Sequence, residues 1–158
     1  TAFRPALLVL DEPLSGLDPL VRDEMMEGLL SQAGETTIVI SSHELSEIEN
    51  CVTHVAFMDK GKLLFQESID DLTARFREID VTSSDTGRPT TALPATWLSH
   101  QSTNQTMRFV ETAFVGDDDM RQKLSQQFGE LRHCEIRAMS LRDISKNLMR
   151  ATRTESQQ

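Results

Sequence analysis

Apolar positions along the chain fall into short uninterrupted runs and helical stripes, and the two kinds alternate. Ala6-Leu7-Leu8-Val9-Leu10 is apolar at every position and too short for a helix, which predicts a strand buried on both faces of a parallel sheet. Asp18 followed by Pro19 reads as an N-cap with proline in the first turn, and Val21, Met25 and Leu29 recur at helical spacing, predicting a helix that ends near Gly34. Thr37-Ile38-Val39-Ile40 reads as a second buried strand. Ser41 and Glu44 stand at capping-box spacing and predict a second helix with Leu45, Ile48 and Val52 on its inner face. His54 to Met58 reads as a third strand, turning at Lys60-Gly61 into a fourth at 62–66. Ser68 then caps a short helix through Ile69, Leu72 and Phe76. Strands alternating with helices in this way predict an α/β fold, a parallel sheet with an antiparallel edge hairpin.

The pattern changes after residue 76. Residues 82–104 are rich in Ser, Thr, Pro and Gly and read as a loop, with Trp97 as an anchor packed on a domain. Segments 78–81, 106–115 and 132–139 alternate as half-buried strands. Met120, Leu124 and Phe128 form a helical stripe opened by Asp117-Asp118-Asp119, and Ser140 caps a last helix carrying Leu141, Ile144 and Leu148. The expected organisation is therefore a first domain over 1–76, a small α+β (β-β-α-β-α) domain over 77–150, and a polar, frayed tail over 151–158.

Charge separates the same two parts. The 158 residues carry a net charge of −9, and residues 1–72 hold 4 Lys and Arg against 14 Asp and Glu, while residues 73–158 hold 12 against 11. Such a balance argues against nucleic acid as a partner, because phosphate binding needs clustered cations. No run approaches the ~18 apolar residues of a membrane span, and no signal peptide opens the chain. Two cysteines, Cys51 and Cys134, give no disulfide framework and suit a reducing compartment.

The chemistry concentrates in Leu7-Leu8-Val9-Leu10-Asp11-Glu12-Pro13. A buried strand ending in two adjacent carboxylates places them at the carboxyl edge of a parallel sheet, where α/β folds bind ligands. Asp11 can hold Mg²⁺ through its water shell, and Glu12, one residue on, can act as general base on a water attacking a terminal phosphate. The second strand ends in Ser41-Ser42-His43. Parallel neighbours bring His43 to the edge that holds Glu12, where an imidazole can donate to a phosphate oxygen and keep water and base in line.

These residues resemble the ATP-binding cassette (ABC) family of ATPase domains. Leu7–Glu12 resembles the Walker B strand, Ser15-Gly16-Leu17-Asp18 the D-loop and His43 the switch histidine, so the likeness covers residues 1–75. The resemblance implies a partial P-loop NTPase sheet in which Asp11 serves Mg²⁺, Glu12 is the base and His43 contacts the γ-phosphate of ATP. It also implies that Ser15, Gly16 and Asp18 meet a second nucleotide-binding subunit across a head-to-tail homodimer. Further partners would be membrane-spanning transporter subunits, with the chain at the cytoplasmic face of the membrane. Leu14 stands where Thr is common in the family.

A larger departure is absence. No G-x-x-x-x-G-K-[ST] loop occurs in the sequence, and the signature Leu-Ser-Gly-Gly-Gln and the glutamine loop are missing too. Asp11, Glu12 and Asp18 beside a neutral His43 would repel triphosphate without cations from elsewhere. The chain thus reads as the C-terminal half of a nucleotide-binding domain, expected to be inactive alone. The segment Met58-Asp59-Lys60-Gly61-Lys62-Leu63-Leu64 resembles the hairpin after the switch histidine. The stretch Ala138-Met139-Ser140-Leu141-Arg142-Asp143-Ile144 resembles the tail of bacterial subunits that drive multidrug, antibiotic or polysaccharide exporters. The alternative is a non-catalytic interaction or regulatory module derived from such an ATPase, using residues 77–150 to bind a partner.

Other residues carry blander readings. Cys51 and His54 straddle a helix end and a strand start with no fourth ligand at zinc spacing, so Cys51 reads as core. Asp117–Asp119 suits a helix N-terminus better than a calcium loop. Met25 and Met26 read as a packing stripe and the acidic helix face beside it, and Arg75 and Arg77 as solvated surface.

Overall fold

The computed structural model describes residues 5–43, 45–84 and 92–155. It divides into two compact units, Thr1–Val52 and Thr53–Gln158. Parallel and antiparallel sheets coexist, so the fold is mixed α/β.

The first unit is built on two parallel strands, β1 (Leu7–Asp11) and β2 (Thr37–Ser41), paired in register from Leu7–Thr37 to Asp11–Ser41. Helix α1 (Pro19–Leu30) connects them, N-capped by Asp18 as the sequence predicts, and it closes at Leu30 rather than near Gly34. Leu14, Met26 and Ile48 form its core, with Met25, Leu29, Ile40, Leu45, Cys51 and Val52 packed partly buried around them. Three expectations are corrected here. Neither strand is buried on both faces: Leu7 and Val9 are 56% and 65% exposed, because α1 and the segment after β2 cover one side of the pair only. Met25 and Leu29 of the predicted stripe pack on this core, but Val21 is exposed, and Met26, read on the acidic face, is the buried residue of α1. The second helix is a single 3₁₀ turn at Leu45–Glu47. Its predicted cap, Ser41, is the last residue of β2 and its hydroxyl is engaged elsewhere; the other half of that capping box, Glu44, lies outside the described residues.

In the second unit β3 (His54–Asp59) and β4 (Lys62–Ser68) form the expected hairpin through Gly61, whose φ of 77° suits a residue without a Cβ. The hairpin is a two-stranded sheet of its own rather than the edge of the parallel pair. Ser68 caps α2 (Ile69–Arg75) by accepting from the Asp71 amide, and Leu72 and Phe76 are fully buried. Arg75 is not simply solvated: its guanidinium bonds both oxygens of Glu67 at 3.0 Å and donates to the Thr112 carbonyl at 2.8 Å. Arg77 donates to the Thr73 carbonyl and lies over the Phe114 ring.

Four antiparallel strands follow, β5 (Arg77–Ser83), β6 (Trp97–Ser102), β7 (Thr106–Glu111) and β8 (Leu131–Ala138), in the order β6-β7-β5-β8. Strand β6 lies within the segment read as loop, and its Leu98–Gln101 register shift breaks the alternation that would have marked it. From Arg77 on, the element order is therefore β-β-β-α-β-α rather than the expected β-β-α-β-α. Residues 85–91 of that predicted loop lie outside the described residues. Helix α3 (Asp117–Phe128) places Met120, Leu124 and Phe128 against Ile79, Val81, Trp97, Met107 and Phe109, as the stripe predicts. Each such large apolar side chain contributes about 1.5–3 kcal/mol on burial. Helix α4 (Leu141–Glu155) follows the Ser140 cap, with Leu141 and Ile144 buried, and it runs five residues into the segment expected to be frayed; 156–158 lie outside the described residues.

Candidate functional site

Every backbone turn of the candidate site follows from the way β1 ends. At Glu12 the chain takes a φ of 46°, in the left-handed half of backbone space that residues with a Cβ avoid. Such a residue stores about 1–3 kcal/mol and persists only where its surroundings hold it. Here the Glu12 N–H donates to Ser41 Oγ at 2.8 Å, and Ser41 Oγ donates in turn to Asp11 Oδ1 at 2.6 Å. One hydroxyl at the tip of β2 thus joins both acids at the tip of β1.

His43, two residues past the end of β2, reaches the same edge, and its Nδ1 stands 2.7 Å from Glu12 Oε2. The pair is open to solvent, the imidazole 68% and the carboxylate 40% exposed. An ionised carboxylate is an acceptor only, so the form of His43 that bonds an ionised Glu12 is the one with a proton on Nδ1.

The loop after Glu12 is also ordered by its own bonds. Ser15 N–H donates to the Glu12 carbonyl at 3.1 Å and Leu17 N–H to the Leu14 carbonyl at 3.3 Å. Leu14 points inward and is buried, which gives its apolar side chain a packing role at a position where the resembling family often has Thr. Gly16 has a φ of 76° and is exposed beside exposed Ser15. Asp18 Oδ1 accepts from the Leu20 and Val21 amides at 3.1 and 3.2 Å, so this carboxylate is spent on the N-terminus of α1. Arg22 Nε donates back to the Leu17 carbonyl at 2.9 Å.

Asp11, Glu12 and His43 are therefore brought together, whereas Ser15, Gly16 and Asp18 lie along the loop that leads away from them. Ser41 is the residue that sequence reasoning assigned elsewhere. The signal that could have found it is the register of the two parallel strands, which sets Ser41 opposite Asp11. One or two carboxylates completed by water and phosphate oxygens is the usual environment of Mg²⁺, and the hard oxygen donors of Asp11 and Glu12 fit that ion. Among the described residues, no group of three or more His, Cys, Asp or Glu side chains gathers as a metal cage. Cys51 packs partly buried on the first core, and His54 Nδ1 meets Thr53 Oγ1 at 3.1 Å.

No family model matches the chain. Among individual proteins, it is 50% identical over 76 residues to the bacitracin transport ATP-binding protein BcrA of Bacillus licheniformis, a match covering 47% of this chain and 25% of that protein. It is 43% identical over 67 residues to the lantibiotic transport ATP-binding protein SrtF of Streptococcus pyogenes, covering 42% and 29%. It is 32% identical over 82 residues to the ABC transporter ATP-binding protein YtrB of Bacillus subtilis, covering 51% and 28%. The chain spans about a quarter of the length of the curated relatives it matches. Over the stretch that aligns with them, the chain is similar to ABC transporter ATP-binding proteins.

Proposed function

We propose that this chain supplies the hydrolytic edge of an ATP-binding subunit in an ABC transporter, a partial P-loop NTPase sheet followed by a small α+β domain. The observation that carries this reading is the 2.7 Å contact of His43 Nδ1 with Glu12 Oε2 at the tips of two parallel strands. In this reading Glu12 is the general base: its carboxylate takes a proton from the water that attacks the terminal phosphate of ATP. His43, with both ring nitrogens protonated, donates through Nδ1 to Glu12 and through Nε2 to a γ-phosphate oxygen, and so orients that carboxylate. Asp11 holds Mg²⁺ through its water shell, and the ion supplies positive charge to the phosphates.

The acidic tip cannot attract a triphosphate by itself, so a phosphate loop with its lysine must complete the site. Ser15, Gly16 and Asp18 face a second nucleotide-binding subunit, and hydrolysis separates the two. Among the described residues no helix is long and apolar enough to cross a membrane. In this reading the work of hydrolysis passes to membrane-spanning partners from the cytoplasmic face. The relatives' names, bacitracin transport and lantibiotic transport, support transport across a membrane as the output, and export is the direction we propose.

The test compares ATP turnover by this chain with turnover by a form extended N-terminally through a phosphate loop, each with and without Glu12→Gln. Turnover is expected in the extended form alone, and the substitution should lower it by about 10²–10⁴-fold, the contribution of a general base. Equal turnover with glutamine at position 12 would overturn the assignment of the base. An extended form that binds ATP without hydrolysing it would favour a non-catalytic module instead.

A further inference from the structure

Ser41 is tied to both acids at once, and neither composition nor motif spacing assigns it that place. Resting on the proposed function, we infer that Ser41 is a positioning residue that sets the geometry of Asp11 and Glu12 together. Its hydroxyl is both donor and acceptor, and both capacities are used: it donates to Asp11 Oδ1 at 2.6 Å and accepts from the Glu12 amide at 2.8 Å.

These two bonds do different things. The bond to Oδ1 fixes the rotation of the Asp11 carboxyl group and so the direction in which its second oxygen is offered to a cation's water shell. The bond from the Glu12 amide holds the backbone at the φ of 46°, a conformation that needs an external restraint. That backbone turn directs the Glu12 side chain to His43 rather than along the line of β1. Ser41 pairs with Asp11 in the parallel ladder, so the arrangement follows from the strand register and does not depend on a mobile loop. A serine serving only to end a strand would need neither bond. An alanine would leave the Glu12 amide and Asp11 Oδ1 without this partner.

Two measurements test the assignment. In the 158-residue chain, hydrogen exchange at the Glu12 amide should be roughly tenfold faster in Ser41→Ala and return to the wild-type rate in Ser41→Thr, which keeps the hydroxyl. In the N-terminally extended form, Ser41→Ala should lower kcat about tenfold and leave KM for ATP within about twofold, with Ser41→Thr restoring kcat. The same Glu12 exchange rate in wild type and Ser41→Ala, an unchanged kcat in Ser41→Ala, or failure of threonine to rescue would each overturn it. Glu12→Gln in the same preparation reports separately on the proposed base. If that variant keeps full turnover while the exchange result holds, the function fails and the positioning of Glu12 by Ser41 stands as structure.

Discussion

The β1–β2 pair and the four-stranded β6-β7-β5-β8 sheet bury their apolar strands in different ways. In the four-stranded sheet, alternate residues of β5 enter a core with α3, and the residues between them carry charge. Arg108 meets Asp80 at 2.6 Å, and Arg137 reaches Glu78, Asp80 and Glu135 at 3.4–3.6 Å. The Asp80 hydrogen bond and charge hold the Arg108 guanidinium above its ordinary range. In the two-stranded pair β1 is apolar at every position until the acids and β2 carries the apolar run Ile38-Val39-Ile40, yet only one face is covered. The four-stranded sheet is finished by its own side chains. The β1–β2 pair spends its ordering on a few polar bonds at one edge, where the candidate site lies.

Three substitutions probe this contrast. Phe109→Ala should have the largest effect, a loss of about 3–5 kcal/mol, because the ring is fully buried and stacks at 4.0 Å on Trp97. Trp97 is the only tryptophan of the chain, so its fluorescence during denaturant unfolding follows the second unit alone. Next comes Glu111→Ala. This carboxylate is 1% exposed and accepts from Trp97 Nε1 at 2.9 Å and the Ala113 amide at 2.8 Å. Leaving both donors unsatisfied should cost about 1–3 kcal/mol, and Glu111→Gln, which keeps an acceptor, should cost less by the same fluorescence measurement. Smallest is Val9→Thr, expected within about 0.5 kcal/mol because the side chain is largely exposed and the strand tolerates a β-branched residue. Exchange of the β1 amides reads that effect, and a loss comparable to Phe109→Ala would mean that this face is packed in the folded protein.

Much of this was legible in the sequence where local and tertiary preferences agree. The Asp18 and Ser68 caps, the stripe Met120, Leu124, Phe128 and the Lys60-Gly61 turn appear where their residue types demand. The Trp97 anchor is likewise found, buried and hydrogen-bonded. Misreadings arise where a pattern has two physical explanations. A continuous apolar run signals two covered faces only if a second layer exists to cover them, and strand periodicity carries no information about that layer. Ser41 fits a capping box by spacing, but strand pairing claims its hydroxyl first. Strand β6 is hidden because its register shift and the left-handed Ser99 break the period of two. At the candidate site the meeting of Glu12 and His43 follows from parallel neighbours, whereas the serine between them is visible only once the register is known.

The turn between Glu12 and Asp18 is fastened at each end, to the β1 tip through the Ser15 bond and to α1 through the Asp18 cap and the Arg22 return bond. It therefore has little slack with which to absorb a push. A load applied at exposed Ser15 or Gly16 passes down the axis of a twelve-residue rod on one side and into the paired acids on the other. In engineering language this segment is a crank pin, and part of its stiffness comes from side-chain hydrogen bonds that a single substitution at Asp18 or Arg22 can remove.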